Sequence, residues 1–422
     1  MEHKIARRAQ DVGASLIRQM FVYAQTDLTK NGIPQYVSLG VGVPSFALPD
    51  YTARELSRAV LEYRDRINKY VLGLGLPELN QAVARKLKSN GIYADAEREI
   101  LITAGSAGGL SWAFQTLVDI GDEVILPSPA YSNHVDGVKI AGGVPVYVPL
   151  VEDDGYRLDV GAIQRAITRK TKAIVFSNPS NPTGAVFPED DLRVVGEMAR
   201  RHNIYVLEDN AYAFLTYDGI RHFSLAAVPE LRENVLSFFT ASKEDAMTGF
   251  RVGWVVTNPF LIEKMFAMQD QFIISPSSIS EYGALFALTG PQDHVEYFRQ
   301  ELSRRRDLIC SRLDRLQGVF SYQRPQGAYY VFPRLSQEIL DREVRLTGKA
   351  AERLKEIPTR WRTKDTALAL ALLYEAGVVT VPGISFGPEG ENHIRLSFAG
   401  EEKDINEAFD RIENWLMERS LK

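Results

Sequence analysis

Seven short apolar runs divide the middle of this 422-residue chain, and they constrain its fold more than any other feature. They are ILIT at 100–103, EVIL at 123–126, VPVYV at 144–148, AIVFS at 173–177, IYVLE at 204–208, VLSFF at 235–239 and GWVV at 253–256. Each is nearly continuous in apolar side chains, so a strand formed from it has to be buried on both faces. Helix-period segments lie between most of them. Strands alternating with helices give a mostly parallel sheet flanked by helices, the α/β class. In such sheets ligands bind beyond the carboxyl ends of the strands.

After Gly290-Pro291 the pattern changes. A long charged helix over about 294–316 leads to VFSYQ, AYYVF (328–332), VVTV (378–381) and HIRLSF (393–398), then a last helix near 402–418. A chain of this length exceeds the usual single core. It reads as a large domain over residues 51–300 and a smaller α+β domain made of residues 1–50 and 301–422. Residues 1 to about 34 read as an amphipathic helix ending near Lys30-Asn31-Gly32, followed by a strand at 36–40. Residues 335–364 are dense in charge and weakly patterned, an insertion that reads as a solvated excursion or, alternatively, as a lid.

The formal net charge of −5 offers no basic face for nucleic acid and no polybasic membrane anchor. No apolar run is long enough to span a bilayer. The first residues carry charges throughout and do not read as a signal peptide; Glu2 and Asp11 argue against a transit peptide despite Arg7 and Arg8. The lone Cys310 excludes an intrachain disulfide framework and fits a reducing compartment, so a cytoplasmic protein is expected. The six histidines, at 3, 134, 202, 222, 294 and 393, show no close metal-ligand spacing, and no metal site is expected.

The residues suited to chemistry follow strand ends. Lys243 comes after VLSFF and Thr240-Ala241-Ser242, and Arg251 stands eight residues later in Gly249-Phe250-Arg251. A lysine between a buried strand and a small-residue turn is well placed to hold an aldehyde as a Schiff base. After AIVFS comes Asn178-Pro179-Ser180-Asn181-Pro182-Thr183-Gly184, a rigid turn that holds an amide side chain forward. After IYVLE comes Asp209-Asn210-Ala211-Tyr212. An aspartate ending a buried strand needs a cation or several donors. It either caps a helix or keeps a pyridine nitrogen protonated, as pyridoxal phosphate requires. After ILIT, the small residues Ala104-Gly105-Ser106-Ala107-Gly108-Gly109 open a helix and present free N–H groups, a natural phosphate seat.

Together these stretches resemble the class I/II aminotransferase family, fold type I of the pyridoxal-phosphate enzymes, over nearly the whole chain. The resemblance also takes in Lys69-Tyr70 with Gly75-Leu76-Pro77-Glu78-Leu79, Gly121-Asp122-Glu123-Val124, Pro129-Ala130-Tyr131, Ala141-Gly142-Gly143, Gly327-Ala328-Tyr329-Tyr330, Pro382-Gly383 with Phe386-Gly387, and Ile394-Arg395-Leu396-Ser397. It implies pyridoxal 5'-phosphate as cofactor, with Lys243 forming the Schiff base, Asp209 on the ring nitrogen, and Asn181 and Tyr212 on the ring hydroxyl. Tyr131 would stack on the ring, while Ser106, Ala107, Thr240, Ser242 and Arg251 would hold the phosphate. Arg395 would clamp the substrate carboxylate, assisted by Asn181 and the Gly42 backbone. Lys243, Asp209 and Tyr212 would be the catalytic residues. Tyr70 would reach the phosphate of a neighbouring subunit, which implies a two-fold homodimer with shared sites. The implied reaction moves the amino group of an L-amino acid to a 2-oxo acid. Elimination or replacement, cyclisation and oxidation on the same scaffold are the alternatives.

Some positions depart from the common family pattern. Val43 and Ser45 stand where many members carry acidic residues, and Glu244-Asp245 follow the lysine where aromatic or small residues are common. Ala107 and Gly108 leave the phosphate turn without the lysine that some dicarboxylate-specific relatives place there. These departures and the 335–364 insertion mark where specificity would lie. A pyridoxal-phosphate-binding transcription regulator would need a DNA-binding module ahead of residue 36, for which the sequence shows no room. Gly40-Val41-Gly42 lacks the third glycine of a dinucleotide loop and reads as a close backbone crossing. Gly383-Ile384-Ser385-Phe386-Gly387 matches a nucleophile-elbow pattern, but flanking prolines make it a loop.

Overall fold

All seven apolar runs form strands of one sheet: β1 (Ile100–Thr103), β2 (Glu123–Ser128), β3 (Val144–Pro149), β4 (Thr171–Ser177), β5 (Tyr205–Asp209), β6 (Val235–Thr240) and β7 (Gly253–Val256). The structure is a computed structural model that describes residues 4–6, 9, 12–13, 15–342 and 344–419. Strand order is β1-β7-β6-β5-β4-β2-β3, with β7 antiparallel to β1 and β6 and the remaining pairs parallel. Every residue of β1, β6 and β7 is buried, which is why those runs show no polar alternation. Successive residues of β4 serve opposite faces. Ala173 and Val175 pack with Leu110, Phe114 and Leu207, whereas Ile174 and Phe176 pack with Leu192, Val195 and Val206.

The C-terminal third builds a separate three-stranded antiparallel sheet from Tyr330–Val331, Ile394–Ser397 and Val381–Pro382. The helices Asp293–Asp314 and Glu402–Glu418 lie where the charge and apolar periods place them, joined by the buried pair Arg312–Glu413 at 3.0 Å. Val37–Ser38 pairs in parallel with Val378–Val379, which ties the N-terminal segment to this part of the chain.

Two expectations need correction. The N-terminal helix spans Leu16–Asp27, and Asn31-Gly32 form the two-residue turn of a hairpin between Thr29–Lys30 and Ile33–Pro34. Both turn residues have positive φ, 52° and 77°, the geometry for which Asn-Gly is suited. Glu2, His3, Arg7, Arg8 and Asp11 lie outside the described residues. Residues 335–364 are not a solvated excursion. They form the helices Gln337–Asp341 and Gly348–Glu356 and a turn at Thr359–Trp361, with Leu335, Ile339, Ala350 and Ile357 buried. Arg353 grips Asp27 with two hydrogen bonds of 2.7 and 2.8 Å, joining this segment to the N-terminal helix. Ala350 of the Gly348–Glu356 helix is buried, and Leu354 packs partly buried against the same core.

Candidate active site

β6 ends at Thr240, and one helical turn, Ala241–Glu244, follows. Thr240 caps it, its Oγ1 accepting from the Ser242 amide at 3.1 Å. This turn sets Lys243 Nζ 2.7 Å from the Gly42 carbonyl oxygen, with the ammonium 5.9 and 5.8 Å from the ring centroids of Tyr212 and Tyr329. Burial, then the neighbouring cations Arg251 and Arg395, lower the Lys243 pKa to about 8, against an opposing pull from Asp209. Roughly a tenth of such an amine is free at pH 7, far more than for an ordinary lysine.

β5 ends at Asp209, which is 5% exposed. Its Oδ2 lies 3.2 Å from Nε2 of the fully buried His134, and its Oδ1 is buried with no partner among the described residues. A turn rather than a helix follows, so Asp209 is not a helix cap. A carboxylate oxygen kept from water and left without a donor marks a place for one.

Asn181 follows β4 in a turn whose Asn178-Pro179 and Asn181-Pro182 bonds are cis. Its backbone N–H donates to Ser177 Oγ at 3.0 Å, and its Oδ1 accepts from Arg395 Nη1 at 3.0 Å. Arg395 Nη2 donates to the Gly40 carbonyl at 2.7 Å, while Nε is buried with no hydrogen-bond partner among the described residues. The guanidinium lies against two aromatic rings, 4.3 Å from the Tyr330 centroid and 5.1 Å from that of Phe386. Tyr330 also shares a 2.9 Å hydroxyl–hydroxyl bond with Tyr212, and Tyr329 donates to the Gly42 carbonyl at 2.8 Å. Burial raises the hydroxyls of Tyr212 and Tyr329 well above their ordinary value and that of Tyr131 to about 12, so all three stay neutral donors near pH 7. A Cβ at Gly42 would stand 2.2 Å from the Tyr330 hydroxyl, which explains the glycine of this loop by close approach.

Behind β1, the helix Gly105–Leu117 opens with Ser106 and Ala107 in its first turn. Gly105 has φ +74°, and a Cβ there would stand 2.8 Å from Arg251 Nη2. Arg251 itself adopts φ 54°, uncommon for a side-chain-bearing residue, and donates to the Thr248 carbonyl at 3.1 Å. Helix N–H groups and a guanidinium thus meet at one spot, as an anion requires.

These residues converge. Gly42, Ser106, Ala107, Tyr131, Asn181, Asp209, Tyr212, Thr240, Ser242, Lys243, Arg251 and Arg395 all line a single cleft of about 770 Å³. Tyr70 does not; it is 70% exposed and away from the cleft of its own chain. Sequence reasoning missed His134 as the partner of Asp209, because 75 residues separate them. It also missed Ile17, Arg18 and Phe21 of the N-terminal helix, which form a wall of the cleft. Tyr329 and Tyr330 were visible in the Gly327–Tyr330 stretch without an assigned contact. The Gly383–Gly387 stretch is a short helical turn, not a strand–elbow–helix.

Such a cleft at strand ends is that of an enzyme binding an anionic, aldehyde-bearing cofactor. The model of aminotransferase class I and II matches residues 34–412. Aromatic-amino-acid aminotransferase 2 of Thermococcus litoralis is 33% identical, covering 99% of each chain. Aspartate aminotransferase of Pyrococcus abyssi is also 33% identical, covering 97% of each. Among solved structures, the aromatic aminotransferase of Pyrococcus horikoshii superposes with a TM-score of 0.82 at 32% identity, covering 96% of this chain and 100% of that one. The alanine aminotransferase of Pyrococcus furiosus gives 0.85 at 29% identity, covering 98% and 100%. The chain belongs to the class I and II aminotransferases, has the fold type I architecture, and is a pyridoxal-phosphate-dependent transaminase.

Proposed function

We propose that Lys243 is the lysine through which this chain moves the amino group of an L-amino acid to a 2-oxo acid. One observation carries the reading: an amine with a pKa of about 8 shares a cleft with a buried carboxylate oxygen that has no partner among the described residues and a buried arginine lying against aromatic rings. The residues present fit the cofactor. Asp209 Oδ1 would accept from a ring N–H, and Asn181 and Tyr212 would hydrogen-bond a ring hydroxyl. Tyr131 would cover the ring. Ser106, Ala107, Thr240, Ser242 and Arg251 would hold the phosphate. When bound, pyridoxal phosphate supplies an electron sink that acidifies the substrate Cα–H. Lys243 removes and returns that proton, since a base with a pKa near the working pH serves in both directions. Arg395 binds the substrate carboxylate, its guanidinium held by Asn181 and the Gly40 carbonyl and its unpartnered Nε left to donate.

The apolar wall of Ile17, Phe21, Val43, Leu110 and Ile140 supports donors with bulky side chains. A two-fold homodimer in which Tyr70 completes the partner's phosphate site is supported by the exposure of Tyr70 at 70%, with Leu72 two residues on at 79%. The division into residues 51–300 and residues 1–50 with 301–422 is supported by the separate C-terminal sheet. The single, buried Cys310 supports a reducing, cytoplasmic setting. Among the described residues no helix is long and apolar enough to cross a membrane, and no three His, Cys, Asp or Glu side chains gather to hold a metal.

Single-turnover reaction of the holoenzyme with a panel of L-amino acids, with products analysed, tests the reaction. Release of a 2-oxo acid with the amino group retained on the cofactor is expected. Release of ammonia, a cyclised product or a need for oxygen would replace transamination with one of the alternative reactions.

A further inference from the structure

The turn that presents Lys243 runs straight into two carboxylates, Glu244 half-buried and Asp245 fully buried. Glu244 Oε1 lies 2.8 Å from Lys86 Nζ, on the helix Pro77–Ser89. Burial alone would lower the Lys86 pKa, but Glu244 and Asp245 more than offset it and keep the ammonium charged. Asp245 is fully buried and bonds through Oδ1 to His294 Nε2 at 3.1 Å, in the first turn of the helix Asp293–Asp314. The other ring nitrogen of His294 lies 3.2 Å from the Pro291 carbonyl oxygen. Both partners are oxygen atoms, so each ring nitrogen of His294 has a polar partner within reach. Two helices distant in sequence therefore hold the residues directly after Lys243.

The Asp293–Asp314 helix also holds the far end of the lysine's own hydrogen bond. His294 packs edge-on against Phe298 at 5.6 Å, and Phe298 stacks on Phe46 at 3.9 Å with the rings 4° apart. Arg305 donates to Ser45 Oγ at 2.9 Å and lies 4.9 Å from the Phe46 ring. Ser45 and Phe46 belong to the loop whose Gly42 carbonyl accepts from Lys243 Nζ. One helix thus touches both the turn that carries the lysine and the loop that receives its ammonium.

We propose that His294 and Lys86 are positioning residues for Lys243. They fix the Ala241–Glu244 turn through Asp245 and Glu244, and His294 sets that turn against the Gly42 loop through Phe298 and Phe46. This rests on Lys243 being the catalytic lysine. A misplacement of about an ångström at a reacting group costs up to ~10²-fold in rate, so small displacements of this turn are read directly in kcat.

The test compares the holoenzyme variants His294→Leu, His294→Gln and Lys86→Met by kcat, KM and melting temperature. His294→Leu removes both ring nitrogens and is expected to lower kcat about tenfold or more with bound cofactor retained. His294→Gln keeps an N–H for Asp245 and is expected to recover kcat to within about threefold of the parent. Lys86→Met, on a different helix, is expected to lower kcat as His294→Leu does, and it decides the question if His294→Leu fails to fold. A merely structural role would lower the melting temperature while the folded enzyme kept its kcat, and that result would overturn the proposal. Equal impairment by Gln and Leu at His294 would overturn it as well. An active Lys243→Ala variant would instead remove the catalytic reading on which the proposal rests.

Discussion

The carboxyl ends of β4, β5 and β6 and the helix Leu16–Asp27 face the same cleft and are built differently. At the strand ends Asn181 and Asp209 are at most 5% exposed, and each is tied by hydrogen bonds to a distant side chain. On the helix, Ile17 and Phe21 are half-buried and Arg18 is exposed, while the helix is held from behind by Leu16, Met20 and Ala24 packing on Ile357, Leu370 and Leu373. Removing one partner of a buried polar contact costs the desolvation of the group left behind, whereas apolar packing tolerates exchange of similar volumes. The strand ends are thus committed to one chemistry, and the helix wall is free to vary with the substrate.

The largest effect that would sharpen this contrast is at Lys243. Lys243→Ala is expected to lower kcat by about 10⁴-fold or more in steady-state assays, because it removes the base proposed to move the proton. Near-parental turnover would break the contrast at its strongest point. Arg395→Gln leaves Asn181 Oδ1 and the Gly40 carbonyl without their cation and is expected to lower kcat/KM by about 10²-fold. Cofactor uptake by the apoprotein is expected to rise roughly tenfold from pH 7 to pH 9, followed by visible absorbance. The sign follows from the direction of the shift. The Lys243 pKa lies at about 8, below the usual 10.5, so the free amine accumulates as pH rises through 8. A midpoint near 10, or a flat profile, would contradict the burial argument. The smallest effect belongs to the helix wall. Phe21→Ala is expected to shift the kcat/KM ratio between bulky and small donors by about tenfold or less, leaving kcat for the best donor intact. A loss of kcat for every donor would place the helix with the chemistry instead.

The fold and most of the cleft were legible because their signals are local. A doubly buried strand has to be continuous in apolar residues, so β1 to β7 could be read off the chain, and the residues that follow β4, β5 and β6 came with them. Helix ends were less legible. The apolar period through Leu28 and Ile33 does not reveal that Asn31-Gly32 turns the chain into a hairpin. The 335–364 segment was misread because its high charge drew attention away from a short amphipathic helix whose Ala350 and Leu354 pack against the core. His134 escaped because its meaning lies in a contact with Asp209 that no spacing encodes. The pairs Lys86–Glu244 and His294–Asp245 were hidden in the same way, although Glu244 and Asp245 stood out as unusual neighbours of the lysine.

The measurement that bears most directly on this account is borohydride reduction of the holoenzyme followed by peptide mass mapping, which fixes the cofactor on whichever lysine holds it. The account predicts a pyridoxyl adduct on the peptide containing Lys243 and on no other lysine. An adduct elsewhere, or none on Lys243 in an active preparation, would contradict it.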